Sequence, residues 1–437
     1  MGLTILFGQN GTLTKLLGMQ NGIYGFSGIV VGSVMYAFPV AFLMICDILR
    51  YEDATPYEAA RVLGIGKARR FCAITLPYLT KPMISVFFAV FTMIITDYGV
   101  PLMIGGKYKT LPVLMYEEVI GRQDFAKGSF FGVILLLPAV IAFSVDLFCK
   151  NDRRSGSVAR EFTLSKKFVR DALAFVYLAV LSVCVIYPIA SFAELAFTKA
   201  YPIDRTFTLH HVQNTFRKGA GDYLLNSVLI ACGTALLGTA TAFLSACFTA
   251  RDRALGSRFL HLMSILSLAI PGIVLGLSYV LFFSGTFLYA TLAILILANT
   301  IHFFSSPYLM MYNSIGKLSP NLEAAAATLG IKKARLIFDI ILPQTRSTLA
   351  EMFSYFFVNS MMTISAVAFL ATLTTKPIAL MIPQFEAQML LEASAFVSVL
   401  ILAVNLLLKG AVALLKRGME RRRTAARRKT GKGDITC

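Results

Sequence analysis

Long apolar segments alternate with short polar ones along the whole chain. About 20 helical residues cross the hydrocarbon core of a bilayer, and apolar segments of that length or longer lie at about 25–49, 79–98, 129–148, 171–197, 223–249, 259–283, 287–312, 346–370 and 391–415. The polar stretch 99–127 carries a shorter apolar group that predicts an interfacial helix near 114–120. The pattern predicts an all-α polytopic membrane protein with about nine transmembrane helices.

Composition agrees with a membrane protein and excludes several other classes. Hydrophobic residues make up 57% of the 437 positions and charged residues 15%, whereas soluble domains are about 25% charged. The net charge of +18 comes from Lys and Arg placed between apolar segments, as the positive-inside rule requires, and not from a nucleic-acid-binding surface. The chain has no GxxxxGK[ST], HExxH or GxSxG motif and no metal-binding cysteine spacing. We therefore expect no catalytic residue, no bound metal and no bound cofactor.

One polar segment occurs twice. EAARVLGIGKARRFCAITLP covers Glu58–Pro77, and EAAAATLGIKKARLIFDIILP covers Glu323–Pro343. When Gly64 is aligned with Gly330, both copies end at an equivalent Leu-Pro. The spacing between these two glycines, which we call the repeat offset, is too long for a solenoid repeat and indicates a duplicated domain. Each copy predicts a small-residue helix, a turn with positive φ at the glycine, a basic amphipathic helix and a stop at the proline.

The repeated segment resembles the EAA loop of the permease subunits of bacterial ABC importers that depend on a binding protein. In that family the loop forms two short helices at an angle, which fit a cleft in the cytoplasmic ATPase. The resemblance implies ATPase docking by Glu58, Ala59, Ala60, Gly64, Lys67, Arg69, Pro77, Glu323, Ala325, Ala326, Gly330, Lys333, Arg335 and Pro343. The alternative is an ordinary amphipathic connection that lies at the lipid headgroups.

The second copy departs from the family pattern at its acidic residue. The family's glutamate lies six positions before the glycine, where Glu58 stands in the first copy and Ala324 in the second. Glu323 is one position early, which rotates it by about 100° around a helix. We therefore expect the second loop to contact the ATPase less tightly, or differently.

Motif and charge together predict the domain organisation. If both loops are cytoplasmic, alternation also places the charged segment 150–170 and the basic tail 416–437 in the cytoplasm. We predict a first permease domain at 1–149 with three spans, a linker at 150–170 and a second domain at 171–415 with six spans. The two halves are expected to pack around a pseudo-two-fold axis, with the substrate path between them. Because related permeases carry six spans per half, we expect that the first half lacks three N-terminal helices.

Two further motifs are candidates for the translocation path. The sequence TDYGVP at Thr96–Pro101 resembles a TDFGxP signature of fused permeases for ferric iron and related substrates. It places Asp97 and Tyr98 at the outer end of a span, where the aspartate either lines the path or caps the helix end. Pro271 and Gly272 interrupt an apolar segment, as in the broken helices of transporters, although a packing kink gives the same pattern.

The resemblance implies a multi-pass permease of the bacterial inner membrane that passes a small solute from a periplasmic binding protein to the cytoplasm. The implied partners are that binding protein, the lipid bilayer and a cytoplasmic ABC ATPase dimer, which would bind the ATP and Mg²⁺. Ferric iron and 2-aminoethylphosphonate are the favoured substrates, ahead of thiamine and polyamines. A secondary transporter with duplicated halves is the alternative, and it predicts paired charges near the membrane midplane.

Overall fold

The apolar segments fold as helices in two compact units, Met1–Glu194 and Leu195–Cys437. A computed structural model describes residues 22–50, 53–149, 168–201, 203–251, 254–319 and 321–430, together with Gly8 and Thr14. Only the last three residues of the predicted linker 150–170 are among them, so the linker stays a prediction.

The described part of the first unit is helical, with short connections. Before position 150 its helices are α1 (Phe26–Arg50), α2 (Thr55–Val62), α3 (Lys67–Arg70), α4 (Leu76–Ile95), α5 (Gly99–Ile104), α6 (Leu111–Tyr116) and α7 (Phe125–Cys149). Phe71–Thr75 forms a π-helical turn between α3 and α4, and Glu117–Gly121 forms another after α6. Pro56 and Pro112 stand in the second position of α2 and α6, where the missing N–H has no helical partner to lose. The helix predicted near 114–120 is thus confirmed as part of α6 and its π turn.

The second unit adds elements that have no counterpart in the described part of the first. Helix α8 (Phe168–Ala196), which belongs to the first unit up to Glu194, leads into the second. There it is followed by a small antiparallel hairpin of β1 (Thr198–Ala200) and β2 (Asp204–Phe207), which the sequence pattern did not predict. The helices that follow are α9 (His210–Thr215), α10 (Gly221–Thr249), α11 (Leu255–Leu266) and α12 (Gly272–Phe283). A π turn at Phe216–Ala220 joins α9 to α10.

The rest of the second unit repeats the first unit at the repeat offset. Its helices are α13 (Leu292–His302), α14 (Ser305–Gly316), α15 (Leu322–Thr328), α16 (Lys333–Leu336), α17 (Leu342–Met362), α18 (Met381–Ala387) and α19 (Leu391–Thr430). The first residues of α1, α3, α4 and α7 are separated from those of α13, α16, α17 and α19 by this same spacing. A left-handed backbone conformation also recurs at the repeat offset outside the loops, with φ of 56° at Gln123 and 59° at Met389. The duplication therefore extends from α1 to α7 and not only over the loop.

In the part of the chain that the structure describes, fewer helices qualify as membrane spans than the nine that the sequence predicts. Five helices are long and apolar enough to cross a membrane, and two bent helix pairs raise the number to seven. The predicted span 259–283 is two 12-residue helices, α11 and α12, because Pro271 lacks the N–H that would continue the first. The predicted span 346–370 is helical only to Met362 and carries Arg346 and Glu351, which lower its apolar character.

The predicted stop at each loop's proline is wrong. Helix α3 continues through its π turn into α4, and α16 continues through the π turn Ile337–Ile341 into α17. Pro77 and Pro343 are the second residues of α4 and α17. The π turn ends two positions before each proline, and its wider i→i+5 bonding accommodates a residue that cannot donate an N–H.

Helices α10 and α17 pack closely at the centre of the second unit. Gly238 of α10 faces the ring of Phe356 of α17, and a Cβ at this glycine would lie 2.6 Å from the ring. Buried side chains add polar contacts, since Asn299 Nδ2 donates to Ser360 Oγ at 2.9 Å and that hydroxyl lies 3.4 Å from Thr234 Oγ1. Small residues let the backbones approach, as in other membrane helix pairs.

We expect Gly238→Ala to lower the thermal stability of the detergent-solubilised chain, because overpacking costs about 1–3 kcal/mol. The matched control is Gly410→Ala in α19, where a Cβ meets nothing within 4 Å. Alanine there gains helix propensity of about 1 kcal/mol and should leave the melting temperature equal or higher. Equal melting temperatures for the two variants would contradict the close approach of α10 to α17.

Candidate functional site

The first repeated loop turns at Gly64 through a defined helix-ending motif. Gly64 N–H donates to the Arg61 carbonyl at 3.1 Å, and Ile65 N–H donates to the Ala60 carbonyl at 2.9 Å. This pair of bonds is the Schellman arrangement, which ends a helix with a left-handed residue and satisfies two of its last carbonyls. Gly64 has φ of 68°, so the positive φ predicted for this turn is confirmed.

The second loop repeats that motif bond for bond. Gly330 N–H donates to the Ala327 carbonyl at 3.1 Å, and Ile331 N–H donates to the Ala326 carbonyl at 2.8 Å. Gly330 has φ of 66°. The shared Gly-Ile pair of the two copies is thereby explained, because both residues take part in the same turn. Each loop consists of two short helices, as the resemblance implies.

The starts of the two loops are also equivalent. In the first, Asp53 Oδ1 accepts from the backbone N–H of Thr55 at 3.0 Å and from its hydroxyl at 2.8 Å. In the second, Ser319 Oγ accepts from the N–H of Asn321 at 3.4 Å. Asp53 and Ser319 are themselves separated by the repeat offset. Both satisfy N–H groups that have no partner within the helix.

The alanines of each loop divide between an inner and an outer face. Ala60 and Ala326 are buried, with 4% and 6% of their surface exposed, whereas Ala59 and Ala325 are exposed. Buried alanines allow the loop helix to lie close to its own unit. The exposed alanines leave the outer face smooth enough for another surface to approach.

The predicted basic residues lie on the outside of the loops. Lys67 and Arg69 in α3 and Lys333 in α16 are exposed. Arg335 pairs with Asp339 one turn later at 3.2 Å, and both side chains are well exposed. Such an exposed pair contributes little to stability, about 0–1 kcal/mol. Pro77 and Pro343 are exposed as well and lie at the ends of the loops nearest the membrane helices.

The two acidic residues differ in their surroundings. Glu58 is exposed in the first turn of α2. Glu323 in the first turn of α15 accepts a charge-assisted hydrogen bond from Arg251 Nη1 at 3.0 Å. The one-position shift seen in the sequence therefore turns Glu323 toward its own unit.

Arg251 was not singled out by its position in the sequence, yet it connects three elements of the second unit. It follows the end of α10, and its side chain is only 17% exposed. Besides Glu323, it donates to the carbonyls of Ser319 at 2.9 Å and Ile315 at 3.1 Å. Arginine can satisfy several acceptors from one planar group. It thus joins α10, the end of α14 and the start of the second loop.

Asp97 of the TDYGVP motif caps a helix. Its Oδ1 accepts from Gly99 N–H and its Oδ2 from Val100 N–H, both at 3.1 Å. These amides are at the start of α5, so the carboxylate also lies at the positive end of that helix. Of the two roles left open by the sequence, the capping role is thus present, and a role in the translocation path stays a prediction.

Tyr98 lies inside the first unit. Only 2% of its surface is exposed, and its ring centroid is 4.8 Å from that of Tyr116 at the end of α6. This contact holds the segment after α4 against α6. Any contribution of Tyr98 to a translocation path stays a prediction too.

Pro271 and Gly272 form a helix break, as predicted. Helix α11 ends at Leu266 and α12 begins at Gly272. Gly272 lies so close to its neighbours that an added Cβ would be 2.6 Å from Ser365 Oγ and 2.9 Å from the His302 ring. The position therefore requires glycine for packing, and its place in a translocation path stays a prediction.

A second helix break, which the sequence pattern missed, lies beside the first. Helices α13 and α14 are bent by 53° between His302 and Ser305. The Ser305 hydroxyl donates to the Ser264 carbonyl at 2.8 Å and contacts the Ser267 hydroxyl. Irregular backbone at membrane depth requires such partners. The equivalent position in the first unit is Pro39, which lies inside the unbroken helix α1.

The structure thus places the predicted residues in separate groups. The docking residues form two equivalent loops, one in each unit. Asp97 and Tyr98 belong to the end of α4 in the first unit, and Pro271 and Gly272 to the α11–α12 break in the second. Within the described residues, no group of three His, Cys, Asp or Glu side chains is close enough to bind a metal ion.

Comparison with known proteins gives one family over most of the chain. Residues 3–151 and 238–421 match the family described as binding-protein-dependent transport system inner membrane component. The Ferric transport system permease protein FbpB of Actinobacillus pleuropneumoniae is 25% identical over 393 residues, which are 86% of this chain and 57% of that protein. The chain therefore spans less than two thirds of this relative.

Two further similarities are narrower. The Thiamine transport system permease protein ThiP of Brucella abortus (strain 2308) is 27% identical over 135 residues, covering 29% of this chain and 25% of that protein. A solved structure, the bacterial ABC transporter involved in the import of the acidic polysaccharide alginate, aligns with a TM-score of 0.49 and 16% identity. The alignment covers 58% of this chain and 97% of that chain.

We expect Gly64→Val and Gly330→Val to open the loops, because a β-branched residue at positive φ costs about 1–3 kcal/mol. Amide hydrogen exchange in α2 and α15 measures this opening. The matched control is Gly66→Val. A Cβ meets nothing within 4 Å at Gly64 or at Gly66, but Gly66 has φ of −63°. Equal exchange in Gly64→Val and Gly66→Val would show that backbone φ is not the constraint.

Proposed function

Because this chain belongs to the family of binding-protein-dependent transport system inner membrane components, we propose that it is the membrane subunit of an ATP-driven importer. It is a multi-pass protein of the inner membrane. The proposal depends chiefly on one observation, the pair of loops with identical helix-ending bonds at Gly64 and Gly330. Two equivalent motifs with exposed residues suit a partner that is itself made of two equivalent subunits.

The partner we propose is a dimer of cytoplasmic ABC ATPases, with one subunit on each loop. The ATPases would bind ATP and Mg²⁺ and carry out hydrolysis, and this chain would bind no cofactor and contribute no catalytic residue. ATP would favour one conformation of the membrane units, because the ATP-bound dimer binds that conformation more tightly. A periplasmic binding protein would deliver the solute from the other side.

The loops are built to transmit movement into the membrane helices. Helix α3 runs through its π turn into α4, and α16 runs likewise into α17, with no loop between them. In the second unit Arg251 additionally bonds the loop to the end of α10. A displacement of the second loop would therefore move α17 directly, and one of the first loop would move the part of α4 that precedes its 53° bend between Thr80 and Pro82.

Ferric iron is the substrate that we propose for this importer. The support is the relative named for ferric transport, which matches 86% of the chain, whereas the thiamine relative matches 29%. The TDYGVP motif at Thr96–Pro101 also resembles a signature of fused permeases for ferric iron and related substrates. These relatives lend no support to 2-aminoethylphosphonate.

Reconstitution tests the importer and its substrate together. The chain, its cognate ATPase and the binding protein are placed in proteoliposomes, and uptake of radioactive ferric iron is measured with and without internal ATP. We expect ATP-dependent uptake that is lost without the ATPase. Uptake driven by an ion gradient with the chain alone would support a secondary transporter instead, and ATP-dependent uptake of another solute would overturn only the substrate.

The acidic residues of the two loops should differ in their effect on ATPase binding. We expect Glu58→Ala to weaken association with the ATPase more than Glu323→Ala does, because Glu323 bonds to Arg251 within its own unit. Pull-down of the ATPase from membranes measures both. Equal losses would contradict the importance of the one-position shift.

A charge exchange isolates the role of Arg251. We expect Arg251→Glu and Glu323→Arg each to uncouple ATP hydrolysis from the binding protein, and the double exchange to restore part of the coupling. The exposed pair Arg170 and Asp171, which lies outside both loops, is the matched control, and its exchange should change little. No recovery in the double variant would show that the pair does not position the loop.

A further inference from the structure

A pocket lies in the second unit at the end of α10 opposite Arg251. Its volume is about 280 Å³, and its described lining consists of Lys218, Tyr223, Met381, Gln384, Phe385 and Gln388. Tyr223 is in the first turn of α10, and Lys218 is in the π turn before it. The 29 residues of α10 separate this end from Arg251 by about 43 Å, at 1.5 Å per residue.

One face of the segment 381–388 forms the floor and rim of the pocket. Met381, Gln384, Phe385 and Gln388 recur every three or four positions and therefore share a side. Met381 and Phe385 are buried at 2% exposure and form an apolar floor, while the two glutamine side chains are exposed at the rim. The carboxamides are thus accessible to a ligand that rests on the floor.

Positive charge comes from Lys218, which lines the pocket, and from Lys376, which contacts two of the lining residues. Lys218 Nζ lies 5.4 Å from the centroid of the Phe385 ring, and Lys376 Nζ lies 5.7 Å from that of Tyr223. Lys376 also donates to Gln384 Oε1, which leaves the NH₂ group of that carboxamide free to donate to a ligand. Among the described residues, neither lysine has a carboxylate within ion-pair distance.

The charge of Lys376 is only partly solvated. Its burial lowers the pKa of the ammonium group below the usual range. A negatively charged ligand nearby would favour the charged form again. Glu386 is a carboxylate of α18, the helix that carries Gln384. It lies about 200° around that helix from Gln384 and so belongs to the other side of α18.

The equivalent position in the first unit is neutralised internally. Glu118 and Arg122 precede Gln384 and Gln388 by the repeat offset, and they form a salt bridge at 2.7 Å. In the second unit both members of that pair are amides. This face of the segment 381–388 therefore offers hydrogen-bond donors beside two ammonium groups, and it carries no carboxylate that would pair with them.

We propose that this pocket binds a small oxyanion of the phosphate or carboxylate class. Lys218 and Lys376 would supply the charge, and the carboxamides of Gln384 and Gln388 would donate hydrogen bonds to its oxygens. The volume is near the lower end of ligand pockets, about 300 Å³, which favours a small ion. The oxyanion has two possible sources, a free solute or the phosphate of a lipid headgroup, because the pocket lies at the end of a long apolar helix.

Binding of inorganic phosphate to the purified full chain in detergent tests the free-solute source. Calorimetric titration at constant ionic strength gives the Kd, and the rise in melting temperature gives an independent measure. We expect Lys218→Gln and Lys376→Gln each to weaken binding about tenfold, or about 1.4 kcal/mol, since each change removes a charged hydrogen-bond donor to the ion. Lys218→Arg should retain most of the affinity. The matched control is Lys107→Gln, which removes the same charge from an exposed position of the first unit.

Lipid nanodiscs test the second source. In discs of phosphatidylcholine with phosphatidylglycerol, native mass spectrometry should show an anionic lipid retained by the wild-type chain and by Lys107→Gln but not by Lys218→Gln. Phosphate binding in detergent identifies a solute site, and selective lipid retention without phosphate binding identifies a headgroup site. The proposal fails if neither ligand binds, or if all variants bind equally. Because no ATPase or iron is present, this failure is distinct from a failure of the importer function.

Discussion

Backbone N–H and C=O groups inside a membrane have no water to bond to, and this constraint accounts for most of the local structure described above. It selects helices for the apolar segments and then requires a partner wherever a helix ends or bends. The carboxylate of Asp97 on the first amides of α5 is one solution. Serine hydroxyls provide another, at the break between α13 and α14. The Schellman bonds at Gly64 and Gly330 meet the same need of a helix end in the two loops, which we expect outside the membrane. The motifs recognised in the sequence are therefore largely places where the regular ladder stops.

The two halves keep much of the same backbone, apart from the break between α13 and α14, while their side chains diverge. The left-handed residues Gly64 and Gln123, the π turn after α3 and the first residues of the main helices recur at one spacing. Yet Glu58 has Ala324 as its counterpart, and the salt bridge of Glu118 with Arg122 is replaced by two glutamines. Such divergence indicates that each half came to contact different surroundings. A single duplicated scaffold thus provides two loops of one shape with two sets of polar contacts.

The sequence was sufficient for the elements that depend on local chemistry. Hydropathy placed the helices, and the paired glycines predicted the positive φ because only the backbone of glycine adopts it easily. Reasoning from the sequence failed where the outcome depends on tertiary contacts. Nothing local distinguishes Arg251 from the other basic residues of its loop, since its partners at Glu323, Ser319 and Ile315 are distant along the chain. The continuation of the helix past Pro77 was also missed, because a π turn has no clear sequence signature.

Helix α10 has a further thermodynamic consequence. It is unbroken from Gly221 to Thr249, with the pocket at one end and Arg251, bonded to the second loop, at the other. If an ion in the pocket favours one position of this helix, then whatever holds the loop in that position must tighten the ion's binding by the same factor. Linkage of this kind is reciprocal and needs no deformation along the helix. The affinity of the pocket for its ion would then depend on whether the second loop is held by a partner, and the affinity for that partner would depend on whether the pocket is occupied.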